Sequence, residues 1–167
     1  MNCLTYQNNI LLKKLLIFYE IDSNKEKFLN IINGKENISL RLIDWFVTNY
    51  CKNKHIIYNF NNKKFNIFQN YKLMLKSFKK KKFDPFCRSD RIILNFNNQT
   101  FETTVGQLNF FKWAIKNNII EYIKSNKEII EKDMNDNKKT KDNKNKLIIN
   151  AEKKETDNNI ELILSFN

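Results

Sequence analysis

Eight cations stand within the twenty residues from Lys72 to Arg91: Lys72, Lys76, Lys79, Lys80, Lys81, Lys82, Arg88 and Arg91. Only Asp84 and Asp90 oppose them, so this stretch carries +6 of the chain's formal +12. Tyr71, Met74, Leu75 and Phe78 recur at helical spacing through its first half, which predicts a helix from about Tyr71 to Lys80. On that helix the apolar residues share one face, and Lys72, Lys76, Lys79 and Lys80 share the other. Such a stripe neutralises phosphates along a nucleic-acid backbone, releasing counterions as it does so. Phe83 and Phe86, just beyond it, can stack on bases if exposed. The plain alternative is a core-packing helix with a solvated lysine face.

The local concentration matters more than the total. The chain holds 29 Asn, 27 Lys and 22 Ile but only three Arg, and A/T-rich codons account for much of that bias. Mutational drift spreads its lysines evenly, however, and these are not even. Residues 117–167 carry ten basic and ten acidic side chains and are neutral, whereas residues 71–116 carry ten and three. The three arginines, Arg41, Arg88 and Arg91, stand where a planar, two-pronged donor serves better than a point charge. Asp44, three residues along a helix, is the expected partner of Arg41. Arg88 and Arg91 either clamp phosphates or pair with Asp84 or Asp90.

Other chemistry finds little support. Cys51 and His55 are four apart and, with Cys87, offer three soft ligands, but no paired close spacing of the kind zinc sites use is present. Two buried thiols and a surface histidine are the expectation, with no metal and no cofactor. Gly34 and Gly106 are the only glycines, so neither a P-loop nor a dinucleotide fingerprint can be written. The single histidine rules out paired-histidine metalloprotease motifs, and no serine sits in a nucleophile elbow. Asp84, Asp90 and Glu102 bracket a possible hairpin and would be the residues to hold Mg²⁺ in a nuclease. Without the lysine that usually accompanies such carboxylates, the expectation is a protein that is not an enzyme.

The elements that must position the basic stretch are legible in outline. Ile10 to Ile21 is apolar nearly all round, as in a buried or partner-facing helix. Ser23 and Glu26 form a capping box for a short helix that Gly34 closes in the left-handed conformation. Ser39 is an N-cap for a helix carrying Leu40, Ile43, Phe46, Val47 and Tyr50. Alternation from His55 to Phe68 about Asn61, Asn62, Lys63 and Lys64 predicts a β-hairpin, and Arg91–Phe96 with Thr100–Thr103 about Asn97 and Asn98 predicts a second. Thr104 and Gln107 form another capping box ahead of Val105, Leu108, Phe111 and Ile115, with Ile119, Tyr122 and Ile123 continuing or following a break at Asn117 and Asn118. Residues 135–146 contain no hydrophobic side chain and are expected to be a disordered linker. Leu147 to Ile149 and Ile160 to Phe166 are β-prone.

The resulting expectation is an α+β fold: helices packed on two short antiparallel β-hairpins, with a disordered Lys/Asn-rich loop before a C-terminal strand. Its divisions are an N-terminal helical segment (1–38), a core domain (39–134), the linker (135–146) and a β-prone segment (147–167). With 41% hydrophobic and 13% aromatic residues, 167 residues suffice for a real core. The longest greasy run is split by Lys13, Lys14 and Glu20, so no membrane span is expected. An odd number of unrelated cysteines and the lack of a signal-like N-terminus predict a reducing, intracellular setting.

Three segments, RLIDWFVTNY (Arg41 to Tyr50), FDPFCRSDRI (Phe83 to Ile92) and TTVGQLNFFKWAIKNNIIEYI (Thr103 to Ile123), resemble a family of small, basic, uncharacterised proteins of large nucleocytoplasmic DNA viruses. The resemblance runs over about residues 40–135, with IELILSFN at the end, and leaves out the N-terminal 35 residues and the lysine-rich loop. It implies a viral source and no catalytic residue. Together with the charge, it leads to the expectation of a viral protein that binds DNA or RNA non-specifically and salt-sensitively. The corresponding settings are the host cytoplasm, a viral factory or the virion interior. The alternative is a structural or adaptor protein that contacts viral proteins through Ile10 to Ile21 or Ile160 to Phe166.

Overall fold

In the computed structural model, residues 3–60, 62–96 and 99–140 are described, without the side chains of 3–9, 60, 63 and 99. Helices α1 (Cys3–Tyr19), α2 (Asp22–Ile32) and α3 (Leu40–Trp45) lead into a π-helical turn (Phe46–Tyr50) and the short α4 (Cys51–Lys54). A hairpin, β1 (Ile57–Phe60) and β2 (Lys63–Asn66), precedes α5 (Ile67–Phe78) and a 3-10 turn (Lys80–Lys82). A second hairpin, β3 (Arg91–Phe96) and β4 (Gln99–Thr104), precedes α6 (Val105–Lys116) and α7 (Ile119–Ser125). The fold is α+β, with two separate two-stranded antiparallel sheets among the described residues.

The core is built round α6, in which nine residues, Gly106 to Phe111 and Trp113 to Ile115, are buried. A helix buried on nearly every side needs neighbours on every side. On one flank the Tyr19 hydroxyl donates to the Leu108 carbonyl at 2.8 Å, and Phe28 meets Phe111 with ring centroids 5.4 Å apart. On another, Phe83 lies 5.3 Å from Phe110 and 5.4 Å from Trp113, whose indole N–H donates to Asn70 Oδ1 at 2.7 Å. The N-terminal segment expected to stand apart as residues 1–38 is therefore part of the same body. The chain divides later, after Ile130.

Each hairpin delivers the chain directly into a helix. Asn66 ends β2 and caps α5 by accepting from the Gln69 N–H at 2.9 Å, and Thr104 ends β4 and caps α6 by accepting from the Gln107 N–H at 3.0 Å. Caps of this kind stabilise a helix by about 1 kcal/mol. In the second hairpin Arg91 pairs with Thr104 and Phe96 with Gln99. Its alternation half-buries Ile92, Leu94 and Phe96 and leaves Ile93 exposed, as a strand with one covered face requires.

Ser39 caps α3, accepting from the Leu42 N–H at 3.1 Å. Gly34 adopts φ 69° and closes α2, with Gly34 N–H to Ile31 O and Lys35 N–H to Asn30 O satisfying the last carbonyls. The Ser23 capping box is not used: α2 starts two residues earlier, with Ile21 at the N-cap and no side-chain bond. The break at Asn117 and Asn118 is real, and Asn118 takes φ 55°.

The second unit begins at Glu131, and its described part, residues 131–140, is helical. This corrects the linker expected over 135–146 for its first six residues. Lack of apolar surface excludes a place in a core but not a solvated helix, and Asn137 and Thr140 bond back to the Asp133 and Asp136 carbonyls one turn earlier. Residues 141–146 and the C-terminal strand lie outside the described residues.

Candidate nucleic-acid interface

The basic stretch is not one helix. Helix α5 begins four residues earlier than its spacing suggested and stops at Phe78, because Lys79 turns the chain with φ 58° and ψ 162°. A side-chain-bearing residue is strained there by about 1–3 kcal/mol. The strain is held by the rings on either side: Phe78 and Phe83 stack at 6.4 Å, and Phe83 is 1% exposed within the cluster of Tyr71, Phe110 and Trp113. Phe83 therefore serves the core and is not available to a base. Lys80 to Lys82 form a 3-10 turn rather than continuing the helical stripe.

Helix α6 grips the segment that follows. Asn109 Nδ2 donates to the Lys82 carbonyl at 2.9 Å, Gln107 Nε2 to the Pro85 carbonyl at 3.0 Å, and the Asp84 N–H to the Gly106 carbonyl at 3.2 Å. Ser89 Oγ donates to the Lys81 carbonyl at 3.0 Å. Gly106 permits this approach, since a Cβ there would meet the Lys81 carbonyl oxygen at 2.8 Å and the Phe83 nitrogen at 3.3 Å. Gln107 is thus diverted from a reciprocal capping box: its amide also accepts from the Thr103 hydroxyl at 2.8 Å. These bonds fix the backbone from Lys81 to Pro85.

The eight predicted site residues divide into two groups. Arg88 places Nε and Nη2 on the two carboxylate oxygens of Asp84 at 2.8 and 2.7 Å, Arg91 binds Glu102 at 2.5 Å, and Lys81 binds Asp90 at 2.9 Å. Lys72, Lys76, Lys79, Lys80 and Lys82 have no salt-bridge partner among the described residues. Lys72 lies 5.8 Å from the centre of the Phe68 ring, and all five except the half-buried Lys82 are exposed.

Magnitudes separate the paired cations further. The Lys81 and Arg91 pairs are exposed on both sides and worth about 0–1 kcal/mol each, so either cation can exchange its carboxylate for a phosphate. Asp84 is different, with a side chain only 7% exposed. Removing the cation from a buried pair costs about 3–5 kcal/mol, which commits Arg88 to Asp84.

Arg41 is exposed and makes no ion pair with Asp44 among the described residues, contrary to the helical spacing. Asp44 instead turns toward the Asp84 and Arg88 neighbourhood. Burial pushes its carboxyl above the usual range, Asp84 adds to the rise, and Arg88 and Lys80 oppose it. Tyr71 is pushed up to about 12, by burial first and then by Asp44 and Asp84.

Asp84, Asp90 and Glu102 each hold a different cation, and no group of three His, Cys, Asp or Glu side chains among the described residues is placed to hold a metal ion. Cys51 is buried, which raises its thiol far above the ordinary value, while His55 is an exposed helix end and Cys87 is half-buried. No helix among the described residues is long and apolar enough to cross a membrane.

Of the three segments that carry the viral resemblance, FDPFCRSDRI holds Arg88 and Arg91, and TTVGQLNFFKWAIKNNIIEYI holds Gly106, Gln107 and Asn109, which grip the loop. A family model described as a family of unknown function, DUF7197, matches residues 3–163. The chain belongs to this family. The DUF7197 match takes in all but the first two of the N-terminal 35 residues, and the lysine-rich loop, both of which the resemblance left out. An uncharacterised protein of Acanthamoeba polyphaga mimivirus is 39% identical over 87% of the chain, and the chain spans 62% of that relative's length. This DUF7197 chain thus belongs to an uncharacterised giant-virus family. No solved structure matches it.

Proposed function

We propose that this DUF7197 chain is a non-enzymatic viral nucleic-acid-associated protein that binds backbone phosphates of DNA or RNA. The contacts come from Lys72 and Lys76 on α5 and from Lys79, Lys80 and Lys82 at the loop. Lys81 and Arg91 join by releasing weakly held carboxylates. One observation carries the reading: a backbone pinned to α6 by Gly106, Gln107 and Asn109 presents lysines that lack carboxylate partners among the described residues. A lysine face that is merely solvated does not require a fixed backbone beneath it. The host cytoplasm, a viral factory and the virion interior are the settings in which such a protein meets its ligand.

The test is a titration of labelled DNA and RNA strands with the wild-type chain and with a variant carrying Lys72→Gln, Lys76→Gln, Lys79→Gln and Lys80→Gln. Salt-sensitive binding that weakens in the folded variant is the expected result. Failure of the wild type to bind any strand at low salt overturns the proposal.

A second reading, a structural or adaptor role in contact with viral proteins, has its own observation. Ile10, Ile17 and Ile21 are 40%, 62% and 56% exposed on α1 and at its end. Co-purification of a viral protein that is lost on Ile17→Lys would favour it.

A further inference from the structure

Resting on the phosphate-binding reading of the same loop, we propose that Phe86 and Arg88 form a stacking platform for an unpaired nucleobase, which makes single-stranded nucleic acid the preferred ligand. A guanidinium offers a flat surface to a base only when its plane is held, and here it is held from two sides. Asp84 takes Nε and Nη2 together, and the Phe86 ring centre lies 4.6 Å from the guanidinium carbon. The carboxylate is itself immobile: Asp84 is 5% exposed, its N–H is bonded to Gly106, and the next carbonyl, that of Pro85, is bonded to Gln107.

Even so, 53% of the Arg88 side chain faces solvent. With one edge on Asp84 and the ring of Phe86 against it, the face away from that ring is where a base would stack. Two of the five guanidinium N–H donors are spent on Asp84, whose carboxylate also matches its charge, which makes Arg88 a weaker phosphate clamp than the lysines and leaves it a flat cation. Bases stack on aromatic rings and on arginine planes alike, without regard to sequence. An ammonium cannot do this, which gives a physical reason for an arginine at this position in a chain that otherwise uses lysine. Lysines 79–82 precede the platform in the chain and supply phosphate contacts, and a duplex, whose bases are already stacked, cannot reach it.

The experiment measures fluorescence anisotropy of the full chain at one low salt concentration with three probes of equal length. These are an oligothymidylate, a strand with the same phosphates but abasic sugars, and a duplex. The oligothymidylate is expected to bind about tenfold more tightly than the other two, the gain from stacking a base. Phe86→Leu and Arg88→Lys, the latter keeping a cation beside Asp84, are each expected to bring that ratio toward one without changing affinity for the abasic strand. Equal binding of thymidylate and abasic strands by the wild type overturns the platform while leaving the phosphate reading intact. Absence of binding to all three probes overturns both, and the wild-type comparison holds even if a variant fails to fold.

Discussion

Replacing Arg88 by Gln and Asp84 by Asn, singly and together, probes the pair on which the loop turns. The two partners are unequally placed, since the Asp84 side chain is 7% exposed and that of Arg88 53%. Arg88→Gln leaves a carboxylate buried without its cation. Such removals cost about 3–5 kcal/mol, and the lower end, about 3 kcal/mol, applies because half of the Arg88 side chain is exposed to water. Asp84→Asn leaves a cation that reaches water and still has an amide oxygen to donate to, so the loss is that of charge assistance, about 1.5 kcal/mol. The double variant pairs two neutral amides and is expected to be more stable than Arg88→Gln alone, with a coupling of about 2 kcal/mol. Thermal unfolding followed by circular dichroism resolves this, because roughly 3 °C accompanies each kcal/mol in a chain of this size. Arg88→Gln should melt about 9 °C below the wild type and Asp84→Asn about 4.5 °C below. Equal, additive losses, or a larger loss for Asp84→Asn, would refute the assignment of Asp84 as a buried, cation-dependent carboxylate.

Two further changes bear on the same region. Lys79→Gly relieves a backbone strain of about 1–3 kcal/mol against a glycine entropy cost of about 0.5–1, so it should raise stability by about 1 kcal/mol in a denaturant titration. Asp44 is a carboxyl whose folded-state pKa is raised above the ordinary 3.8, mainly by burial. Its charged form is therefore penalised by folding at neutral pH, and the penalty is relieved as pH falls through the raised value toward 3.8. Asp44→Asn should accordingly stabilise the chain at neutral pH, and the gain should vanish near pH 4 in melts across that range. A gain that is constant with pH contradicts the burial argument.

Local signals were legible where a single turn of chain decides the outcome. Ser39 and Thr104 cap the helices they precede, Gly34 closes α2, and both hairpins form in the segments whose alternation predicted them. Ser23 misled because Ile21 and Asp22 can start a helix as well, and a cap motif states only that a start is nearby. The end of α5 was misplaced since Lys79, an unstrained helical residue by composition, is forced out of helix by Phe78 and Phe83 joining one ring cluster. Arg41 and Asp44 have the spacing of an ion pair, but Asp44 turns toward the interior instead. The grip of Gln107 and Asn109 on the Pro85 and Lys82 carbonyls spans 22 and 27 residues and links side chain to backbone, which leaves no periodic trace. Gly106 was the visible hint, one of only two glycines in the chain and set in a helix where nothing local calls for it.

The central claim is that lysines on the fixed loop and on α5 touch phosphates, and the slope of log affinity against log salt tests it most directly. Each lysine that truly contacts the backbone contributes about 0.7–0.9 to that slope. Removing Lys72, Lys76, Lys79 and Lys80 together should flatten it by roughly three units. Replacing Lys138, Lys139, Lys141 and Lys144 should leave it nearly unchanged, because ten acidic side chains balance the ten basic ones of residues 117–167. A slope that flattens with the second set and not with the first would contradict the account.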